Sequence, residues 1–355
     1  MELFFESIQN QFDKKLPFVV YNKPNSKKNI AFLSFDDALV INQKLDKNGF
    51  VFAPFDGNDF VFFDEVKSEI IKFEGIDFNE KLNHYNDDLP TLETKEFHVN
   101  LVEDGVEAIQ KNKFLKVVLS RKESVLANQS HFITYYKKLV QTYKSAFCYC
   151  FYHPKVGMWL GATPEQLVKI ERDVVSTVAL AGTQLYIENQ EVVFWGDKEK
   201  EEQLFVTQFI EQSLSPFVEK ISKSEPFTAQ AGNLLHIKTD ISAKIKSDVS
   251  LSDIVLALHP TPALCGLPKQ EAKQFIIQNE GYNRDYYSGF LGEINKDFET
   301  NESLKSDIFV NLRCMELEKN QANLFIGGGI TKDSDPESEF LETINKSQTI
   351  KKIIK

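Results

Sequence analysis

A lysine, an arginine, several glutamates and a run of glycines are the groups in this 355-residue sequence whose settings could change their chemistry. Lys116 opens the apolar run Val117-Val118-Leu119. A lysine there is either an edge residue reaching water along its aliphatic stem, or a cleft lysine desolvated enough to act as a base. Glu165 closes the turn Gly161-Ala162-Thr163-Pro164, a place where a carboxylate is ordinarily just solvated. Glu202 lies three and four residues before Phe205 and Val206, in a predicted helix Asp197–Leu214 with the apolar stripe Phe205, Val206, Phe209, Ile210 and Leu214. On or beside that stripe it needs a partner or a metal. It also reads as a first-turn acid favoured by the helix dipole, in the solvated run Glu199, Glu201, Glu202. Arg313 is the single charge within Phe309–Met315 and calls for an anion, best a forked carboxylate. A structural ion pair and a ligand site satisfy it equally. Glu339, Glu342 and Lys346 share one face of a predicted helix Pro336–Lys351, opposite Phe340, Leu341 and Ile344. If exposed, the Glu342/Lys346 pair contributes under ~0.5 kcal/mol. Just before that helix, Gly327-Gly328-Gly329 follows a predicted strand. Glycines there let backbone N–H groups approach an anion, or simply make a tight turn.

Other sites are missing. There is no Walker loop, HExxH, GxSxG or strand-linked GxGxxG, and the six histidines are scattered singly. Cys148, Cys150, Cys265 and Cys314 form no CxxC pair and have no zinc-ligand spacing. Among apolar neighbours they read as buried, reduced thiols, which suit a reducing cytosol. With 41 basic and 52 acidic side chains the net charge is −11, which excludes nucleic-acid binding by bulk charge. Hydrophobic residues at 42% and charged residues at 26% give a chain able to bury a sizeable core and exclude wholesale disorder. Met1–Lys15 lacks the pattern of a signal peptide. No apolar run reaches the ~18 residues of a membrane span. The expectation is a soluble, cytoplasmic protein.

The elements that must position these groups follow from periodicity. Strands are predicted at Asn29–Phe35, Gly49–Phe55, Asp59–Phe63, Lys116–Ser120, Gly289–Ile294, Ile308–Leu317 and Gln321–Ile326. Hairpins are predicted at Phe147–Leu160, turning at His153-Pro154-Lys155, and at Leu167–Leu180, turning at Arg172-Asp173. Helices are predicted at Val102–Lys113, Ser130–Tyr143, Asp197–Leu214, Pro268–Gln278 and Pro336–Lys351, the last capped by Asp335 or Ser334. The polar run Asn83–Glu96 reads as a linker. Hairpins outnumber βαβ units, so the fold class is α+β with mostly antiparallel sheets.

In order along the chain stand Lys116-Val-Val-Leu-Ser-Arg121, Gly161-Ala-Thr-Pro-Glu165, Ala179-Leu-Ala-Gly-Thr183 and Lys198-Glu-Lys-Glu-Glu202. Next are His259-Pro-Thr-Pro-Ala-Leu-Cys-Gly266, Arg284-Asp-Tyr-Tyr-Ser-Gly289, Leu312-Arg313-Cys314 and Gly327-Gly-Gly-Ile330. Ser334-Asp-Pro-Glu-Ser-Glu339 and Glu342-Thr343 close the series. With these motifs the chain resembles the chorismate-utilising enzymes, and within them the isochorismate synthases, from Lys116 to Lys346. Residues 1–96 match weakly, as a variable N-terminal part of the same domain, and 97–355 form the chorismate-binding catalytic region. The resemblance implies one large domain of two stacked antiparallel sheets with helices outside, acting on chorismate with Mg²⁺. It implies Lys116 as the base activating water for attack at C2, and Glu165 as the acid protonating the departing C4 hydroxyl. Glu202 and Glu342 would hold Mg²⁺, with Glu339 close by through water. Arg313, Lys346 and the backbone of Gly327, Gly328 and Gly329 would take the substrate carboxylates, with Thr183 beside them.

Within the family, Lys116 stands where the amine-transferring relatives typically carry Gln, which favours water over ammonia and implies no amidotransferase subunit. Ala181 stands where aminodeoxychorismate synthases place a nucleophilic Lys. Salicylate synthases share Lys116 and Glu165 and go on to expel pyruvate, so they are the competing assignment; a chorismate-binding protein without turnover is another. Isochorismate feeds both menaquinone and catecholate siderophore routes. Relatives are often monomers, and no coiled-coil heptad is present. Three positions depart from the family pattern: Gln203 replaces a His after the metal Glu, Gln184 an Arg after Gly182-Thr183, and Gly328 an Ala. The first two bear on support of the metal and the substrate.

Overall fold

The computed structural model of the chain describes residues 2–75, 90–186, 193–231 and 234–354, apart from the side chains of Thr183, Leu185, Lys198, Ala231 and Leu234. Alternation along single strands sets its layers. In strand Phe147–His153, Phe147, Tyr149 and Phe151 face a core between two sheets, while Cys148, Cys150 and Tyr152 face an outer core under helices. Both faces are covered, so the strand is apolar throughout.

The first sheet has the order Gly266–Leu267, Lys116–Leu126, Gln321–Ile330, Cys314–Leu317, Gly157–Thr163, Phe147–His153, Phe18–Asn22, Lys28–Ser34 and Ser68–Glu74. The second has the order Val218–Lys223, Leu234–Ile245, Val174–Leu185, Gln166–Glu171, Lys305–Val310, Phe290–Ile294, Gly49–Ala53 and Val61–Asp64, with Phe227–Ala231 also pairing with Leu234–Ile245. Every pairing within the two sheets is antiparallel. Their facing sides meet in an aromatic core that includes Tyr21, Phe32, Phe50, Phe52, Phe147, Phe151 and Trp159. Helices Glu2–Asp13, Phe132–Thr142 and Pro336–Ile354 cover the outside of the first sheet. Helices Asp197–Leu214 and Leu251–Leu258 cover the outside of the second. Helices Leu92–Gln110 and Lys269–Asn279 enclose Val117 and Leu119 at the edge of the first sheet. This is the α+β arrangement of stacked antiparallel sheets expected from the hairpins. Among the described residues no helix is long and apolar enough to cross a membrane.

Several expectations are corrected. The predicted strand Ile308–Leu317 is two strands in different sheets, Lys305–Val310 and Cys314–Leu317. Arg313 sits at the crossing in the left-handed region, φ 46°, a conformation that periodicity does not reveal. Gly327–Gly329 does not follow a strand but lies inside Gln321–Ile330, paired with Ser120, Leu119 and Val118. Within the predicted linker Asn83–Glu96, residues 83–89 lie outside the described residues. Its C-terminal end is helix: Thr91 caps Leu92–Gln110 by accepting the Thr94 N–H at 3.2 Å. That helix crosses the boundary expected at residue 96. Periodicity also misses helices Glu2–Asp13 and Leu251–Leu258 and the strands between Val218 and Ile245, the first of which exposes most of its side chains.

The inter-sheet core yields a stability prediction. Phe52 is fully buried, and its ring stacks on Phe151 at 4.2 Å and on Tyr286 at 4.4 Å between centroids. Phe52→Ala is expected to cost about 3–5 kcal/mol, read as a lower urea midpoint; a loss under ~1 kcal/mol would mean the two sheets are not keyed together at this ring.

Candidate active site

The strand carrying Lys116 and the strand carrying the glycines run side by side, pairing Ile330 with Val117 and Gly327 with Ser120. Each glycine leaves room for a different side chain. A Cβ at Gly327 would lie 2.6 Å from the Tyr287 hydroxyl, at Gly328 3.3 Å from Glu339 Oε2, and at Gly329 3.0 Å from Lys116 Cε. These glycines serve close approach rather than backbone conformation, since none has a positive φ. Beyond Leu324 the strand Cys314–Leu317 no longer pairs with this one, so its edge away from Lys116 has no strand partner there. Alternate backbone amides on that edge are turned toward the site.

Side chains from four further segments reach this strip. Lys116 is largely buried, and its Nζ donates to Glu202 Oε1 at 2.7 Å. Lys346 donates to the Gly327 carbonyl at 3.0 Å and also pairs with Glu342. Glu339 Oε1 accepts from the Ser334 hydroxyl at 2.7 Å. Burial raises the Glu339 carboxyl above the usual carboxylate range, and the negative charge of Glu342 adds to this. Asp335 caps the helix by accepting the Ser338 N–H at 2.9 Å, so the positions of Glu339 and Glu342 are set from the helix start.

Glu165 and Arg313 come from adjoining segments at the sheet crossing, and the Glu165 carboxyl feels the charges of Arg313 and Lys116. The Arg313 carbonyl accepts the Ala162 N–H at 3.1 Å, and the Glu165 carbonyl accepts the Val310 N–H at 2.9 Å. Gly161–Thr163, read from the sequence as a turn, is the end of strand Gly157–Thr163, and this strand end and Glu165 are thereby tied to both sides of the sheet crossing. Burial pushes the Glu165 carboxyl up to about 7, although the positive charges of Arg313 and Lys116 oppose the rise. The residue as a whole is half-buried. Among the described residues no carboxylate lies within ion-pair distance of the Arg313 guanidinium, so the structural pair left open by its sequence context is not formed.

Lys116, Glu165, Glu202, Arg313, Gly327, Gly328, Gly329, Glu339, Glu342 and Lys346 are therefore linked through shared contacts and charges. The Thr183 side chain lies outside the described residues; next to it, the Gly182 carbonyl meets His236 Nδ1 at 2.8 Å. Gln184 donates to the Phe194 carbonyl at 2.8 Å. A surface groove of about 580 Å³ runs along Lys169, Ser176, Lys223 and Lys238, but its lysines are already paired with Glu171, Glu211 and Asp240.

Two helix faces differ from the expected stripes. In Asp197–Leu214 the buried positions are Gln203, Thr207, Ile210 and Leu214, while Phe205 is 46% exposed. In Pro336–Ile354 they include Phe340, Thr343, Ser347 and Ile350, while Leu341 is 57% exposed. Both faces are partly polar, so hydrophobicity alone misplaces them. Sequence reasoning also passes over Tyr287, whose hydroxyl lies beneath Gly327; an aromatic among many carries no signal of that contact.

Which residues could hold a metal follows from the donors. Among the described residues no three carboxylates, imidazoles or thiols gather as a preformed cluster. Glu202 and Glu342 stand on different helices beside the same strip, with Glu339 behind. That set fits Mg²⁺, which takes one or two carboxylates and completes its shell with water and substrate oxygens.

A family model described as "Chorismate binding enzyme" matches residues 64–355. Isochorismate synthase MenF of Pasteurella multocida is 30% identical over 259 residues, covering 69% of this chain and 58% of that protein. The salicylate biosynthesis isochorismate synthase of Pseudomonas aeruginosa is 29% identical over 261 residues, covering 71% of this chain and 53% of that protein. The chain thus spans little more than half the length of these curated relatives. The solved structure of MenF, the menaquinone-specific isochorismate synthase of Escherichia coli, shares the fold with a TM-score of 0.77 at 19% identity, covering 96% of this chain and 89% of that one.

The raised Glu165 carboxyl makes stability depend on pH. A group whose folded-state pKa is raised binds its proton more tightly when folded, so the stability it contributes is present at low pH and lost as pH rises from about 4.5 through about 7. Glu165→Gln, which cannot ionise, is expected to gain stability relative to the parent between about pH 5 and about pH 8 in urea titrations. A difference that stays flat across that interval would show that the carboxyl is not desolvated.

Proposed function

We propose that this chain, which belongs to the chorismate binding enzyme family, converts chorismate to isochorismate by adding water at C2 and expelling the C4 hydroxyl. The observation that carries this is the convergence of the Lys116 amine with Glu165, a carboxyl of raised pKa, beside an Arg313 guanidinium without a carboxylate partner among the described residues. Allylic displacement needs a base on the attacking side and an acid at the leaving group. A carboxyl held near 7 carries its proton for a useful fraction of the time at neutral pH and can give it to the departing hydroxyl. Lys116 takes the proton from water in its neutral form, so its ion pair with Glu202 must be broken and one ammonium proton lost to solvent beforehand. That pair is only partly buried, so breaking it costs little.

Chorismate is a dicarboxylate, and a chain of net charge −11 must receive it locally. Arg313 offers a planar fork for one carboxylate. Lys346 and the alternate amides of Gly327–Gly329 would take the other, with Thr183 assisting. Glu202 and Glu342 would hold Mg²⁺, with Glu339 joined through water. When bound, the ion supplies positive charge at a substrate carboxylate. The chemistry uses water, so it needs no ammonia-delivering subunit.

Proton NMR of chorismate incubated with the protein, in Mg²⁺ and in EDTA, tests the reading. Isochorismate forming only with Mg²⁺ is expected. Salicylate with pyruvate would move the chain to a synthase that also eliminates, and unchanged chorismate would leave a binding protein. Lys116→Ala and Glu165→Ala are each expected to lower kcat by about 10²–10⁴-fold with circular dichroism unchanged; near-parental turnover in either would remove the role given to that residue.

A further inference from the structure

The residue after each of the two carboxylates proposed to hold Mg²⁺ directly is buried and hydrogen-bonded to the sheet beneath it. After Glu202 comes Gln203, 3% exposed, whose amide donates to Thr239 Oγ1 at 2.7 Å and to Thr207 Oγ1 at 2.9 Å. Thr239 belongs to strand Leu234–Ile245, and Thr207 returns its own proton to the Gln203 carbonyl at 3.1 Å. After Glu342 comes Thr343, fully buried, whose Oγ1 accepts from Arg121 Nε at 2.6 Å and donates to the Phe340 carbonyl at 2.7 Å. Arg121 is fixed in turn by Glu123 at 2.7 Å and lies over the Phe340 ring. It shares its strand with Lys116.

Helix geometry gives these bonds their consequence. Successive side chains are ~100° apart around the axis, so fixing one residue against the sheet fixes the azimuth of its neighbour. With side-chain tips about 5–6 Å from the axis, a roll of ~20° moves a carboxylate on the order of 2 Å. Mg²⁺ tolerates only a few tenths of an ångström in its ligand distances. Apolar contacts permit such a roll, whereas directional hydrogen bonds to a strand oppose it.

We infer that Gln203 and Thr343 are positioning residues, each locking the roll of its helix so that the preceding carboxylate, Glu202 or Glu342, faces the glycine strand. The inference rests on the metal-dependent reading above.

Mn²⁺ binding to the full chain, measured from the electron paramagnetic resonance of free ion, tests this without reading turnover. Gln203→Leu and Thr343→Val are expected to weaken Mn²⁺ binding about 10–100-fold with the thermal midpoint and circular dichroism of a folded protein. Gln203→His and Thr343→Ser, which keep the donor and the acceptor, are expected to stay within about three-fold of the parent. Thr343→Ala removes the same acceptor without a branched side chain and decides the matter if Thr343→Val folds poorly. Unchanged affinity in folded Gln203→Leu and Thr343→Ala would overturn the inference. Glu342→Gln separates the two levels: if it binds Mn²⁺ like the parent, the metal reading itself falls and takes this inference with it.

Discussion

The ladder between Lys116–Leu126 and Gln321–Ile330 is the constraint on which the site depends. It fixes Lys116 opposite the end of the glycine run, and it places Arg121 beneath the last helix. A side chain at any of the three glycines would press on Tyr287, Glu339 or Lys116, the last two being proposed working groups. The strip is narrow because a hydrogen-bonded backbone cannot retreat from a Cβ without breaking the ladder. Reactive groups on separate helices can therefore converge on one bare stretch of strand.

Around that strip the charges are paired loosely. Lys116 with Glu202 and Lys346 with Glu342 are partly exposed pairs, each worth little on its own. Fully buried partners would be expensive to separate; these can exchange partners at low cost when a dianion arrives. Arg313 differs in already lacking a carboxylate partner among the described residues. Its left-handed backbone at the sheet crossing takes it out of the in-and-out alternation of a regular strand.

Much of the architecture is legible in the sequence, and where legibility ends has physical causes. Helix Asp197–Leu214 is found at its observed bounds, and the hairpin around His153-Pro154-Lys155 within a few residues, because their periodicities are strong. The faces of the two carboxylate-bearing helices are misread because Gln203, Thr207, Thr343 and Ser347 are buried through hydrogen bonds, which hydrophobic patterning does not weigh. Arg313 looks like a mid-strand residue because a crossing between sheets leaves no periodic mark. The site residues themselves come from ordered motifs rather than from periodicity. Residues as distant as Lys116 and Lys346 gather only through sheet pairing, which no local pattern encodes.

The N-terminal strands have a consequence for how this chain can vary. Phe18–Asn22 lies between Phe147–His153 and Lys28–Ser34 in one sheet, and Gly49–Ala53 pairs with Phe290–Ile294 in the other. Inside, Glu293 is held by Lys23 at 2.5 Å and by the Tyr21 hydroxyl at 2.5 Å, with burial pushing its carboxyl up to about 7. The segment before residue 64, where the family match begins, thus supplies the counter-charge for an acid within that match. Both faces of Phe18–Asn22 and most of Lys28–Ser34 are buried, so the segment is not interchangeable cargo. A chimera that grafts another relative's N-terminal third must carry its own answer to Glu293, or leave a stranded acid at the centre of the sandwich.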